Sequence, residues 1–255
     1  MLQVVTRVEV MSEHPEKMTD TTARATVSHP DHSDHADPWA MQLVIRRNKQ
    51  DPASHIAVLE AAGASVVRLL DDQRVTAHDG QWAQAVAHWR AGWIRKVARR
   101  AENKRWDDVQ ALPGVNAGSE NAEVRAFVPG PLAPLPPELK KLQVGGTEFP
   151  RLQESAHHDA VVTVEVTPEV ELSTGKAAAQ VGHAAQLAYE QLIQRVADRD
   201  ATALQVLTSW RHDDFRIRVA APSLTAWRET DRPVRVVDAG LTEVAGATET
   251  SRAYW

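Results

Sequence analysis

No cysteine occurs among the 255 residues. Disulfides and thiolate chemistry are therefore excluded, which fits a cytoplasmic protein. No apolar run approaches the roughly 20 residues that a membrane span requires. Arg7, Glu9, Glu13 and Asp20 interrupt the start too often for a secretory signal. No Gly-x-Ser-x-Gly elbow is present, so nothing suggests a serine nucleophile. An excess of positive charge is lacking too. The net charge is −5, so indiscriminate nucleic-acid binding is disfavoured and any RNA contact has to come from a local patch. Hydrophobic residues at 43 % and charged residues at 25 % leave room for a sizeable core, in one large or two ordinary domains.

Residues 1–38 are rich in Ser, Thr, Asp and His and read as a disordered tail. His29, His32 and His35 alternate with Asp31, Asp34 and Asp37, which are metal-ligating side chains. A flexible tail does not fix ligand geometry, and incidental low complexity is the favoured reading. Met11 and Met18 leave the start of the chain open.

A region from 39 to 144 follows. Met41–Ile45 predicts a strand, and Ser54–Leu70 a helix burying Ile56, Leu59, Val66 and Leu69. A longer helix is expected from Gly80 towards Asn103, with Trp82, Val86, Trp89, Trp93 and Val97 on one face as core or interface. Arg90, Arg95, Lys96, Arg99, Arg100, Lys104 and Arg105 would cover the rest of it against the single acid Glu102. Two readings stand side by side. One is a solvated face. The other is a phosphate-tracking surface in which Arg95 and Arg99 project opposite the tryptophans and Trp106 stacks on an unpaired base. Glu123–Val128 reads as a strand, Pro129–Pro137 as a loop, Pro137–Leu142 as a short helix, and 145–159 as a linker.

The most informative segment runs from Ser173 to Ala185. A Ser/Thr cap and Gly175 open a helix on which Lys176, Gln180 and His183 fall within roughly 60° of one another. Ala178, Val181, Ala185, Leu192 and Val196 form the opposite, core-seeking stripe, so the polar trio is expected to face away from the core. Further on, the strand Val234–Val237 ends on Asp238-Ala239-Gly240-Leu241-Thr242. An acid and a hydroxyl at the carboxyl end of a strand are well placed for chemistry, although Asp and Gly together are also strong turn formers.

Together and in this order, Gly175-Lys176-x-Ala-Ala-Gln180-x-x-His183-Ala and Asp238-Ala-Gly-x-Thr242 resemble the type-2 (archaeal and eukaryotic-type) peptidyl-tRNA hydrolase family, over residues 160–255. Val161–Val166, Phe215–Val219 and Thr250–Tyr254 supply the other strands of that pattern. The chain departs from it at Leu241 and Glu243, where the family has arginine and glutamine. It departs again at Thr167-Pro168-Glu169-Val170 and at its Ala-Tyr-Trp end. Exchanging an arginine for leucine beside the site weakens any grip on phosphate.

The resemblance implies hydrolysis of the ester joining a peptide to the 3′-terminal ribose of tRNA. Asp238 would orient or deprotonate the water, Lys176 would meet the developing oxyanion or a phosphate, and Thr242 would hold the water or carbonyl. Gly175, Gln180 and His183 would assist in binding. No cofactor or metal is called for. The alternative is a relative without turnover that binds RNA or a protein. The expected fold is α/β, a mixed sheet flanked by helices, with a second α/β unit in the amino-terminal half. That half can be read as a degenerate copy, with His55 in register with Lys176 and Leu59 with Gln180. A monomer with an internal pseudo-dimer and a homodimer are both compatible with this.

Overall fold

Two runs of small and apolar residues, 55–71 and 174–189, set the architecture, because each becomes a helix with almost no exposed face. The computed structural model describes the backbone of residues 4–9, and residues 38–77, 79–151, 154–238 and 246–255 with their side chains. The amino-terminal part comprises β1 (Val4–Glu9), β2 (Trp39–Arg46), α1 (His55–Asp71), α2 (Gln73–Thr76), α3 (Gln81–Ala91), β3 (Arg95–Ala101), α4 (Lys104–Val109), β4 (Gly114–Ser119), β5 (Ala122–Phe127), β6 (Gly130–Pro131) and α5 (Pro137–Lys140). The remainder comprises β7 (Val162–Val166), α6 (Thr174–Ala197), α7 (Ala201–His212), β8 (Ile217–Ala220), α8 (Leu224–Glu229), β9 (Val234–Asp238) and β10 (Thr248–Tyr254). The fold is mixed α/β, with helices covering the sheet. Among the described residues no helix is long and apolar enough to cross a membrane.

The helices α1 and α6 begin at serine caps. Ser54 Oγ accepts from the Ala57 N–H (3.1 Å) and Ser173 Oγ from the Lys176 N–H (3.2 Å). They run side by side in the same direction. His55 Nδ1 meets Thr174 Oγ1 at 2.9 Å where both start, and the Tyr189 hydroxyl donates to Asp71 (2.8 Å) where α1 ends. Alanines and Gly63 make this packing close. A Cβ at Gly63 would lie 3.3 Å from Val181 Cγ1 and would overlap Ile217 Cδ1.

The strand order is β4-β5-β2-β3-β1-β9-β10-β7-β8, with β6 paired to β2. The sheet curls around the helix pair until both edges reach α1. Buried Glu60 accepts from the Ser119 hydroxyl at the end of β4 (2.8 Å) and from the Val219 N–H of β8 (3.2 Å).

Each half repeats one topology. The orders β4-β5-β2-β3 and β9-β10-β7-β8 match, with β2/β3 and β7/β8 parallel and the remaining pairs within each half antiparallel. Trp89 and Trp210, both fully buried at the ends of α3 and α7, each donate the indole N–H to the carbonyl six residues on, at Arg95 and Arg216. Trp106 in α4 and Trp227 in α8 are also buried. The caps fix the register at the helix starts differently from the sequence expectation. Aligning Ser54 with Ser173 puts Ala57, not His55, at the place of Lys176.

Three other expectations give way. The helix beginning at Gly80 stops at Ala91, and Arg95–Ala101 is a strand in parallel register with β2. Gly92 breaks the helical run, and the remaining segment alternates sides as a strand must. Trp93 is left 42 % exposed outside the helix. The 145–159 linker is no loose tether, since Thr147, Phe149 and Ser155 are buried. Its carbonyls satisfy helix-start N–H groups: Thr147 O accepts from Gly175 and Pro150 O from His55. Finally, within the expected tail, Val4–Glu9 pairs with β3 and β9 and joins the two halves. The His/Asp-rich stretch lies outside the described residues.

Candidate functional site

The polar trio of α6 faces the sheet. Lys176, Gln180 and His183 are all buried, because α6 is packed by α1 on one side and by the curled sheet on the other. An amphipathic pattern shows that two faces differ; it does not show that the polar one meets water.

Lys176 Nζ lies 2.6 Å from Asp238 Oδ2, and their side chains are 0 % and 1 % exposed. Asp238 is the last residue of β9, so helix start and strand end converge on this pair. Gln180, one turn further along α6, donates through Nε2 to the same Oδ2 (2.7 Å). Its Oε1 accepts from the Thr250 hydroxyl (2.9 Å), and its backbone carbonyl accepts from the Ser251 hydroxyl (3.0 Å). Two consecutive β10 side chains reach α6 because the β9–β10 register slips between Glu249 and Ser251. The carboxylate is thereby held between an ammonium and an amide whose own orientation is fixed. Such a group can accept a proton from a bound water while a cation stands beside it. A Cβ on Gly175 would lie 3.1 Å from Thr147 Cβ, so glycine permits the approach of the 147 segment to the helix start.

His183 belongs to a second cluster. Its Nδ1 is 3.2 Å from Lys96 Nζ, which comes from β3 in the other half and also donates to Gln186 Oε1. Lys96 Nζ sits 5.0 Å from the centre of the Trp89 ring. Complete burial pulls the Lys96 pKa well below its ordinary value. Glu190 opposes this and Arg90 adds to it. Burial likewise lowers the His183 pKa well below the imidazole range, helped by the charges of Lys96 and Lys176. His183 Nε2 is buried with no hydrogen-bond partner among the described residues.

Of the residues singled out from sequence, the fold brings Lys176, Gln180 and Asp238 into one hydrogen-bonded group, with Gly175 preceding Lys176 at the start of α6 and His183 two turns further along it. Thr242 lies outside the described residues, as do Leu241 and Glu243. Arg95 and Arg99 do not form an exposed helical face. Both point to one side of β3, where Arg99 is buried and donates to Gln42 Oε1 (2.8 Å) and the Leu142 carbonyl (3.1 Å). Arg95 is half-buried, and burial lowers the pKa of both. The sequence singles out none of Thr250, Ser251 and Gln186, and marks Lys96 only as one of a basic run expected on a helix face, whereas it is buried. Each matters only through what the curled sheet sets opposite it. No group of three or more His, Cys, Asp or Glu among the described residues is arranged to hold a metal ion.

No family model, curated protein or solved structure matches the chain.

Proposed function

We propose that the protein hydrolyses the ester bond of peptidyl-tRNA, in the manner of the type-2 peptidyl-tRNA hydrolases. One observation carries this reading: Lys176 and Asp238, far apart in sequence and each marked by its own motif, meet at 2.6 Å with Gln180 on the same carboxylate oxygen. In the reaction, water adds to the ester carbonyl carbon as Asp238 takes its proton. Lys176 offsets the charge growing on the carbonyl oxygen. Collapse of the tetrahedral intermediate breaks the bond to the ribose oxygen, which leaves with the proton as free tRNA. Gln180 and Thr250 are positioning residues that keep Asp238 in one orientation.

The near-complete burial of the pair favours a second reading, a relative that binds RNA and uses this ion pair only as a core element. Release of the acyl group from N-acetyl-aminoacyl-tRNA separates the two. The hydrolase cleaves it and spares unblocked aminoacyl-tRNA, with cleavage lost in Lys176→Ala and Asp238→Ala. The binding module leaves it intact.

A further inference from the structure

The strand identity of β3 redistributes the basic run into two sets. Arg99 turns to one side and is buried, whereas Lys96, Ala98 and Arg100 share the side that faces α6, and Arg100 lies towards the mouth of that side. There a cavity of about 440 Å³ opens, walled by Arg47 and Lys49 after β2, by Arg100, and by Lys104 and Arg105 at the start of α4. The carboxylates beside these cations are Glu102, paired with Lys49 (2.9 Å) and Arg47 (3.4 Å), Asp108, paired with Lys104 (2.9 Å), and Asp107, whose charge also acts on Lys104. Five cations against three carboxylates leave a positive cleft on a chain whose net charge is −5.

These cations are free to engage a ligand. The side chains of Lys49 and Lys104 are 68 % and 86 % exposed. Ion pairs so exposed contribute about 0–1 kcal/mol, so a phosphate can replace them. Arg105 has no acidic partner among the described residues. Among the described residues the Arg100 side chain donates to neutral groups, the Gly146 carbonyl (2.8 Å) and Gln143 Oε1.

The cleft also adjoins the candidate site. Arg100 holds Gly146; the next residue, Thr147, accepts from the N–H of Gly175, and Lys176 follows. Ala98, on the same side of β3 as Arg100, lies 3.6 Å from where a Gly175 Cβ would be. One short segment therefore ties the cleft to the start of α6.

We propose that this cleft, built wholly from the amino-terminal half, binds the sugar-phosphate backbone of an RNA. Resting on the hydrolase reading, that RNA is the tRNA whose acylated end enters beside α6. The half that lacks the Lys176 and Asp238 motifs then has its own task, which is to supply substrate affinity. Several arginines and lysines around one open cavity suit a chain of phosphates, because each neutralised phosphate releases bound counterions.

The test measures binding of labelled deacylated tRNA to the full chain across a range of salt concentrations. It compares wild type with Lys104→Gln/Arg105→Gln, with Lys49→Gln/Arg100→Gln, and with the charge-matched control Arg199→Gln/Arg228→Gln on the other half. Each cleft pair should flatten the slope of log K against log salt by about 1.5 and weaken binding at least tenfold at moderate salt, while the control matches wild type. On N-acetyl-aminoacyl-tRNA Lys104→Gln/Arg105→Gln should raise KM and leave kcat unchanged. Circular dichroism confirms that each variant is folded. Cleft variants that bind as wild type overturn the proposal, even if the ester is cleaved. Salt-dependent binding lost in the cleft variants, with no cleavage by wild type, keeps the cleft and removes the hydrolase.

Discussion

Replacing Asp238 with leucine removes the carboxylate that lies 2.6 Å from the Lys176 ammonium, whose side chain is 0 % exposed. Gln180 Nε2 donates to the same carboxylate. Breaking one side of a buried ion pair costs about 3–5 kcal/mol, because a desolvated charge loses its counter-charge. In a chain of this length each kcal/mol lowers the melting temperature by roughly 2 °C, so Asp238→Leu should melt roughly 6–10 °C below wild type. Lys176→Met should cost less, since Gln180 still donates to the carboxylate. In Lys176→Met/Asp238→Leu both charges of the pair are gone, and Met and Leu fill comparable volume. The double variant should therefore recover most of the loss, with a coupling energy of about 2–3 kcal/mol between the two sites. Urea unfolding of the four proteins measures the cycle. Single variants that each cost under about 1 kcal/mol, with additive effects, would refute the buried pair and the convergence of α6 with β9 that creates it.

Other consequences follow from buried titratable groups. His55, 8 % exposed beside Thr174, has its pKa lowered from 6.5 to about 4, chiefly by burial and then by Arg151. The unfolded chain thus takes up this proton first. His55 contributes full stability above pH 6.5, and up to about 3 kcal/mol of it is lost as the pH falls towards 4. His55→Gln should flatten that part of the stability–pH curve, and an unchanged curve contradicts the assignment. Lys96 has a depressed folded pKa, so the wild type should gain stability as pH rises towards 10.5. Lys96→Met should be the more stable protein at pH 7, with the difference shrinking in alkali. Equal pH slopes for the two proteins would show that Lys96 is not desolvated. Glu60→Ala deprives Ser119, Ser155 and the Val219 N–H of their acceptor where the sheet edges meet α1. It should cost about 2–3 kcal/mol in urea unfolding, and a cost near zero means that the edges do not meet there.

Much of the secondary structure was legible because local rules and tertiary packing agree. Ser54 and Ser173 cap their helices, a largely apolar run makes β2, β-branched runs make β7 and β9, and Pro137 starts α5. That Lys176 and Asp238 belong to one site was an implication of the family resemblance, and their meeting as a buried ion pair was not read from the sequence. The failures share a physical cause. Trp82 to Val97 reads equally well as a helical stripe until Gly92 ends it, and the arginines beyond alternate sides on a buried strand. Burial of Lys176, Gln180 and His183 depends on the sheet curling over α6, which helical periodicity does not encode. Hairpin strand β4 was missed because Gly-Val-Asn-Ala-Gly-Ser has little β propensity and pairs only because β5 is beside it.

The most direct test of the account compares hydrolysis of N-acetyl-aminoacyl-tRNA by wild type and by Lys176→Met/Asp238→Leu, the variant expected to fold. Acyl release by the wild type, and none by the folded double variant, is the predicted result. Equal release by both, or no release by either, contradicts the assignment of this ion pair to ester hydrolysis.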